Sequence, residues 1–166
     1  MRYENDDSYF DVAQICLNGH IINNSSMTFP SSNKKRCPDC GSETITKCLA
    51  CNQDIRGYHF VPGVIGFGGL EKAPGFCEHC GKPYPWTESR LEAARDLAGQ
   101  LDLDIPERTL LEKSIEEIVR DTPRAPAEAV RFKGVVEKAK PWALAAFREV
   151  LISVVSEPVK KMIWPG

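Results

Sequence analysis

The sequence predicts an α+β protein in two parts: a cysteine-rich domain of short β-hairpins, residues 1–86, followed by a helical domain of three to four helices, residues 87–166. Three observations predict it. All seven cysteines and all three histidines lie between residues 16 and 80. Nine of the twelve glycines precede residue 87. Apolar residues recur at helical spacing only after Trp86.

In the first part, Tyr9 to Ile15 is rich in aromatic and β-branched residues and reads as a strand leading into Cys16; Gly19 to Ile22 continues it. Asn23 to Arg36 is polar, with Asn, Ser and Pro, and reads as a loop. Thr44 to Thr46 reads as a short strand, and Tyr58 to Leu70 as a long hairpin with an irregular tip.

In the second part, Thr87 is the expected N-cap of a helix to about Leu101, with Leu91, Ala94, Leu97, Ala98 and Leu101 on one face. Pro106 suits the start of a second helix, striped by Leu110, Leu111, Ile115, Ile118 and Val119. Asp121 to Pro126 is a stop and restart. Val130, Val135, Val136 and Ala139 mark a third helix, which Pro141 interrupts. Trp142 to Val155 is a fourth, with Leu144, Phe147, Leu151 and Val154 or Val155 inward. Ser156 caps a last turn through Lys160, Lys161 and Trp164.

Charge excludes some functions. Formal net charge is -2, and residues 1–86 hold 8 basic and 9 acidic groups against 13 and 14 in residues 87–166. Neither half has the basic excess of a sequence-blind nucleic-acid binder. Met1 to Asp7 is polar and acidic, unlike a signal peptide, and no apolar run approaches the ~20 residues of a membrane span. A cytoplasmic protein is expected, and there seven cysteines favour metal over disulfides.

The cysteines come in pairs: Cys16-x3-His20, Cys37-x2-Cys40, Cys48-x2-Cys51 and Cys77-x2-Cys80. A Cys-x2-Cys turn directs two thiolates at one metal, and zinc takes four ligands in a tetrahedron. Eight ligands fill two sites, so two structural zinc ions are expected. With seven thiolates and two zinc ions the formal charge becomes about -5. Gly41 and Gly81 follow the second cysteine of their knuckles, where positive φ is required. His79 lies inside a knuckle and is expected to point away, and His59 is expected to be structural.

Three groupings of the pairs are open. The sequential one puts Cys16, His20, Cys37 and Cys40 on one ion, and Cys48, Cys51, Cys77 and Cys80 on the other. A crossed grouping resembles the cross-brace of RING-type domains, and a nested one is the third. Loop closure favours the sequential case, whose loops have 16 and 25 residues.

No catalytic constellation accompanies these sites. A hydrolytic zinc keeps a position open for water, and neither His-Glu-x-x-His nor a deaminase-like His-x-Glu is present. Every cysteine belongs to a pair, which leaves no nucleophile. Gly63 to Gly69 lacks the lysine of a phosphate loop and reads as a flexible tip or an apolar partner-binding loop. Lys34-Lys35-Arg36 reads as a solvated turn beside a knuckle. Pro83 to Trp86 reads as packing of Trp86 between the ribbon and the helices, with partner binding the lesser reading.

The cysteine-rich half resembles the double zinc ribbons common in bacterial proteins. The whole chain resembles an uncharacterised bacterial family, a domain of unknown function. The residues that carry the likeness are Ile15 to His20, Cys37 to Gly41, Ile55 to Gly57 and Cys77 to Thr87. Asp121 to Arg124 with Arg131 to Lys133, and Ser156-Glu157 with Lys160-Lys161, carry it in the helical half. This resemblance implies zinc and a bacterial source but no activity.

The expected function is therefore a non-enzymatic, zinc-stabilised protein-interaction or adaptor module. A zinc-ribbon nucleic-acid-binding regulator is the alternative, and a subunit of a larger enzyme complex is a third reading. Trp142, Phe147, Leu151, Val155, Met162, Ile163 and Trp164 concentrate apolar surface at the C-terminus. Self-association or partner docking through these helices is expected, the alternative being that the segment fills space between the helices and the ribbon, with docking by the loop around Phe67 as the fallback.

Overall fold

The computed structural model describes residues 7–66 and 68–165, so Phe67 and the docking expectation placed on it lie outside the described residues. The chain divides into two compact units, Met1–Trp86 and Thr87–Gly166.

The first unit holds two small sheets. Strands β1 (Tyr9–Val12) and β5 (Arg56–Phe60) pair antiparallel in a two-stranded ribbon. Strand β2 (Gln14–Cys16) lies between β3 (Ile21–Asn23) and β4 (Thr44–Ile45) in the second sheet. The strand expected over Tyr9 to Ile15 is thus divided at Ala13, whose N–H is donated to Ile55 O at 2.8 Å. Tyr58 to Leu70 is not a long hairpin. Strand β5 takes β1 as its partner, and the return segment meets β5 through the His59 N–H, donated to Gly68 O at 2.8 Å. A Cβ on Gly68 would come within 2.3 Å of His59 O, so this approach requires glycine.

The polar stretch after β3 is a loop with one 3-10 turn, Pro30–Ser32. Gln14 holds its far end: the side-chain amide donates to Lys34 O and to Thr44 Oγ1, each at 2.9 Å, and accepts the Lys34 N–H at 3.0 Å. The core of the unit is Ala13, Ile15, Cys48, Ile55, Cys77, Tyr84 and Trp86, with Ile21, Ile45, Leu70 and Ala73 packed against it. Tyr84 and Trp86 stack at 4.8 Å, and Trp86 donates its indole N–H to Pro74 O at 2.8 Å. The Pro83 to Trp86 segment is therefore packing within the ribbon unit.

Among the described residues five helices follow: α1 (Pro85–Gly99), α2 (Ile105–Val119), α3 (Ala125–Ala139), α4 (Ala143–Leu151) and α5 (Glu157–Ile163). The count exceeds three to four because the turn after Ser156 is a helix in its own right. Thr87 is not the N-cap of α1. Pro85 opens the helix, since its fixed φ and missing N–H suit a first turn, and Thr87 is buried inside it. Helix α2 is capped by Asp104 and Glu107 in reciprocal bonds to each other's backbone N–H. Helix α3 ends at Lys140, whose extended backbone (φ -151°, ψ 135°) is what a following proline demands.

The face α3 buries is Ala125, Ala129, Phe132 and Val136, whereas Val130, which marks the same helix, is 64% exposed. Phe132 meets Phe147 edge-on at 5.1 Å. Phe147, Leu151, Val155, Val159 and Ile163 are buried, and Trp164 donates its indole N–H to Leu144 O at 3.0 Å. The apolar C-terminal residues thus fill this unit's own core. The strip expected for docking reduces to Trp142 and Met162, which remain exposed.

Candidate metal centres

Three knuckles repeat one backbone pattern. The N–H of the first cysteine is donated to the carbonyl five residues on: Cys37 to Ser42 O, Cys48 to Gln53 O and Cys77 to Lys82 O, at 2.8–2.9 Å. The residue after the second cysteine donates back to the first: Gly41 to Cys37 O, Asn52 to Cys48 O and Gly81 to Cys77 O. Single bridges, Arg36 with Glu43, Lys47 with Asp54 and Phe76 with Pro83, close each turn at its base. That closure forces positive φ at the return residue: 73° at Gly41, 59° at Asn52 and 70° at Gly81. Asn52 is the member sequence reasoning missed. Asparagine is a residue that tolerates this conformation, so Cys51-Asn52 carried the same signal as Cys40-Gly41.

The fourth turn carries Cys16 and His20. Gly19 N–H is donated to Cys16 O at 2.8 Å, with φ of 88°. One extra residue in this turn brings an imidazole rather than a thiolate to the metal position.

Folding gathers the eight side chains into two clusters. Cys16, His20, Cys37 and Cys40 form one, and Cys48, Cys51, Cys77 and Cys80 the other; the ligand atoms of each lie within 4.8 Å of one another. This is the sequential grouping and neither the crossed nor the nested one. His59 and His79 lie outside both. His59 stacks on Phe10 at 4.1 Å, and His79 Nε2 faces Glu78 at 3.7 Å on the surface.

The spacings fit a tetrahedral ion. A zinc–sulfur bond of about 2.3 Å implies an S···S edge of about 3.8 Å, and a mixed S···N edge is about 3.5 Å. Observed edges are 3.8 Å for Cys16–Cys40, 3.8 Å for Cys48–Cys80 and 3.6 Å for Cys51–Cys77. His20 Nδ1 lies 3.5 Å from Cys16 Sγ and 3.4 Å from Cys37 Sγ. Such sulfur separations are far beyond a disulfide bond of about 2.05 Å.

Hydrogen bonds reach several of the sulfurs, although burial pushes the Cys16 thiol up. His20 N–H is donated to Cys16 Sγ at 3.3 Å, and Asn18 Nδ2 donates to Cys40 Sγ at 3.3 Å and to Ser42 Oγ at 2.9 Å. The Ser42 amide and hydroxyl, outweighing burial, bring the Cys40 thiol down to about 6. In the other cluster, burial opposes ionisation of Cys77, but the Cys80 and His79 amides and the Cys51 and Cys48 thiols bring it down to about 6. Cys51 accepts the Gln53 amide, which favours its thiolate, yet burial and the three neighbouring sulfurs push it up to about 12. A divalent cation relieves the repulsion that keeps Cys51 protonated. Three thiolates and an imidazole around such an ion carry a formal charge of about -1, and four thiolates about -2.

The family model described as an uncharacterized protein conserved in bacteria (DUF2321) matches residues 9–163, covering both clusters and the helices. No curated protein and no solved structure matches the chain.

Proposed function

This chain belongs to the bacterial family DUF2321, and we propose that it is a non-enzymatic binding module whose N-terminal unit is held in shape by two structural zinc ions. The observation that carries the reading is that each cluster offers four ligand atoms from the protein itself, within 4.8 Å of one another. A filled tetrahedron leaves no coordination position for water or substrate, so the ions would serve folding rather than chemistry. Zinc is the metal that suits both donor sets, one of three thiolates with an imidazole and one of four thiolates, since it has no redox demand and accepts tetrahedral thiolate. The unit's core is small and includes Cys48 and Cys77 among its buried residues, which ties metal binding directly to folding.

A reducing, cytoplasmic setting agrees with seven unpaired thiols, and no helix among the described residues is long and apolar enough to cross a membrane. The binding role is assigned to the first unit, because the C-terminal apolar residues are used internally. Nucleic acid is the weaker reading: in the Lys34 to Arg36 run, Arg36 faces Glu43 at 3.5 Å and donates to Gly41 O at 3.2 Å.

Elemental analysis of protein purified without chelator tests the metal reading. Two zinc per chain is the expected result, whereas one zinc, or the absorption spectrum of an iron–sulfur cluster, overturns it. Affinity purification from the native host, with and without nuclease, tests the partner class. Co-purifying protein that survives nuclease is expected, and material lost on nuclease treatment favours the nucleic-acid reading.

A further inference from the structure

Strand alternation assembles an aromatic pocket on the β1–β5 ribbon. Neighbouring residues of a strand point to opposite faces, so Tyr9 and Asp11 of β1 share one face with Tyr58 and Phe60 of β5. The register pairs Tyr9 with Phe60, and their ring centroids lie 5.1 Å apart at an interplanar angle of 32°. Ser25, Thr28 and Phe29 of the following loop complete the wall of a cavity of ≈ 300 Å³. That is the lower end of small-molecule sites, about 300–1,000 Å³, and suits a headgroup rather than a long ligand. Tyr9, Phe29 and Phe60 are 48%, 60% and 39% exposed, so folding leaves ring surface available.

Asp11 adds charge. The residue is only 5% exposed, and its carboxylate accepts the N–H groups of Val12, Met27 and Thr28 at 2.6, 3.0 and 3.1 Å. Burial works against ionisation, but these amides and the Thr28 hydroxyl outweigh it and hold the carboxyl below its ordinary value. All are neutral donors, and among the described residues none that lines the pocket is a lysine or arginine. The opposite face of the ribbon is built differently. There Phe10 carries a cation of its own, the Arg56 guanidinium 4.8 Å above its ring, which the register shift between Phe10 and Val12 brings to this face.

We propose that the Tyr9–Phe60 pocket binds a methylated ammonium group, of the kind carried by choline or by trimethyllysine. Ring faces and a fixed carboxylate both attract positive charge. A primary ammonium entering there would need three acceptors for its N–H donors, and the Asp11 oxygens are already occupied by backbone amides. An ammonium covered by methyl groups has no donors to satisfy and buries apolar surface against the rings. The proposal deepens the binding-module reading and is independent of which metal fills the clusters.

The test uses the full-length protein and NMR titration of its backbone amides. Probes are choline, its uncharged carbon isostere 3,3-dimethylbutan-1-ol, and a short peptide with or without trimethyllysine. Choline or the methylated peptide should bind about tenfold or more tightly than the isostere or the unmethylated peptide. Whichever of the two cations binds more tightly identifies the source as a free solute or a protein. Tyr9→Leu and Phe29→Leu should each weaken that binding about fivefold or more while the metal content stays unchanged. Equal binding of the isostere, or no shift with either cation, overturns the proposal. Metal content measured on the same samples separates that failure from a failure of the zinc reading.

Discussion

Gly19 lies directly against Trp86: a Cβ built on Gly19 would stand 3.1 Å from both Cβ and Cγ of the tryptophan. The first metal turn is thereby seated on the unit's core, and its backbone has no room for a side chain. Gly19 also sits at φ of 88°, where any other residue is strained. Gly19→Ala should cost about 2–4 kcal/mol, combining strain and overpacking, whereas Gly41→Ala, with open space around it, should cost only about 1–2. Denaturant unfolding of the two metal-loaded variants compares them, and equal losses would show that the Trp86 contact is unimportant.

Asn52 provides the companion experiment in the second cluster. At φ of 59° it does what glycine does in the other knuckles. Asn52→Gly should change metal affinity little, while Asn52→Ala should weaken it by about 1–2 kcal/mol, or roughly tenfold. Competition with a chromogenic chelator reads both numbers on one scale.

Cys40→Ser and Cys80→Ser should each remove one ion and destabilise the first unit, because structural zinc contributes on the order of 10 kcal/mol to such folds. His79→Ala should leave both ions in place, since His79 faces Glu78 on the surface. Elemental analysis of the three variants counts the ions directly.

Glu128 makes the helical unit sensitive to acid. Its carboxylate is 1% exposed, accepts the Ser114 hydroxyl at 2.8 Å and faces Arg131 and Arg124 at 2.9 and 3.3 Å. The Ser114 bond is the largest cause that holds it below the ordinary 4.5, with burial opposing and the two arginines assisting. The folded state therefore binds fewer protons than the unfolded state. Its contribution is fully present above about pH 4.5 and is lost as pH falls through the lower folded value. Glu128→Gln should cost about 1–2 kcal/mol at pH 7, a modest figure because both arginines are solvated. It should also flatten the fall in stability below pH 4.5. Thermal melts at pH 3 to 7 test both parts.

Gly134 lies inside α3 at ordinary φ with nothing near its absent side chain. Gly134→Ala should raise stability by about 0.5–1 kcal/mol, through helix propensity alone. A rise in the melting temperature checks it.

The ligand residues, their pairing and the helical character of the second half were legible in the sequence, because each depends on short-range spacing. A Cys-x2-Cys turn sets its own geometry, and an apolar stripe of period 3.6 specifies a buried face. Boundaries were less legible: Pro85 and Thr87 both carry helix-start signals, and only packing chose Pro85. Val130 and Ala129 are adjacent, and the direction from which the rest of the unit approached α3 decided that the smaller side chain is buried.

What only tertiary structure decided are the relations between residues distant in sequence. The sequential grouping depended on which turns met across β2 and β4. Asp11 reads as an ordinary acidic strand residue until the 24–29 loop folds over it and supplies amide donors. Tyr9 and Phe60 are 51 positions apart and became one pocket wall through strand register. Most of the C-terminal apolar residues are buried for the same reason, leaving Trp142 and Met162 exposed, since burial belongs to the partners a residue finds. Local spacing carries the chemistry of a turn, whereas long-range pairing sets which turns share a metal and which rings share a face.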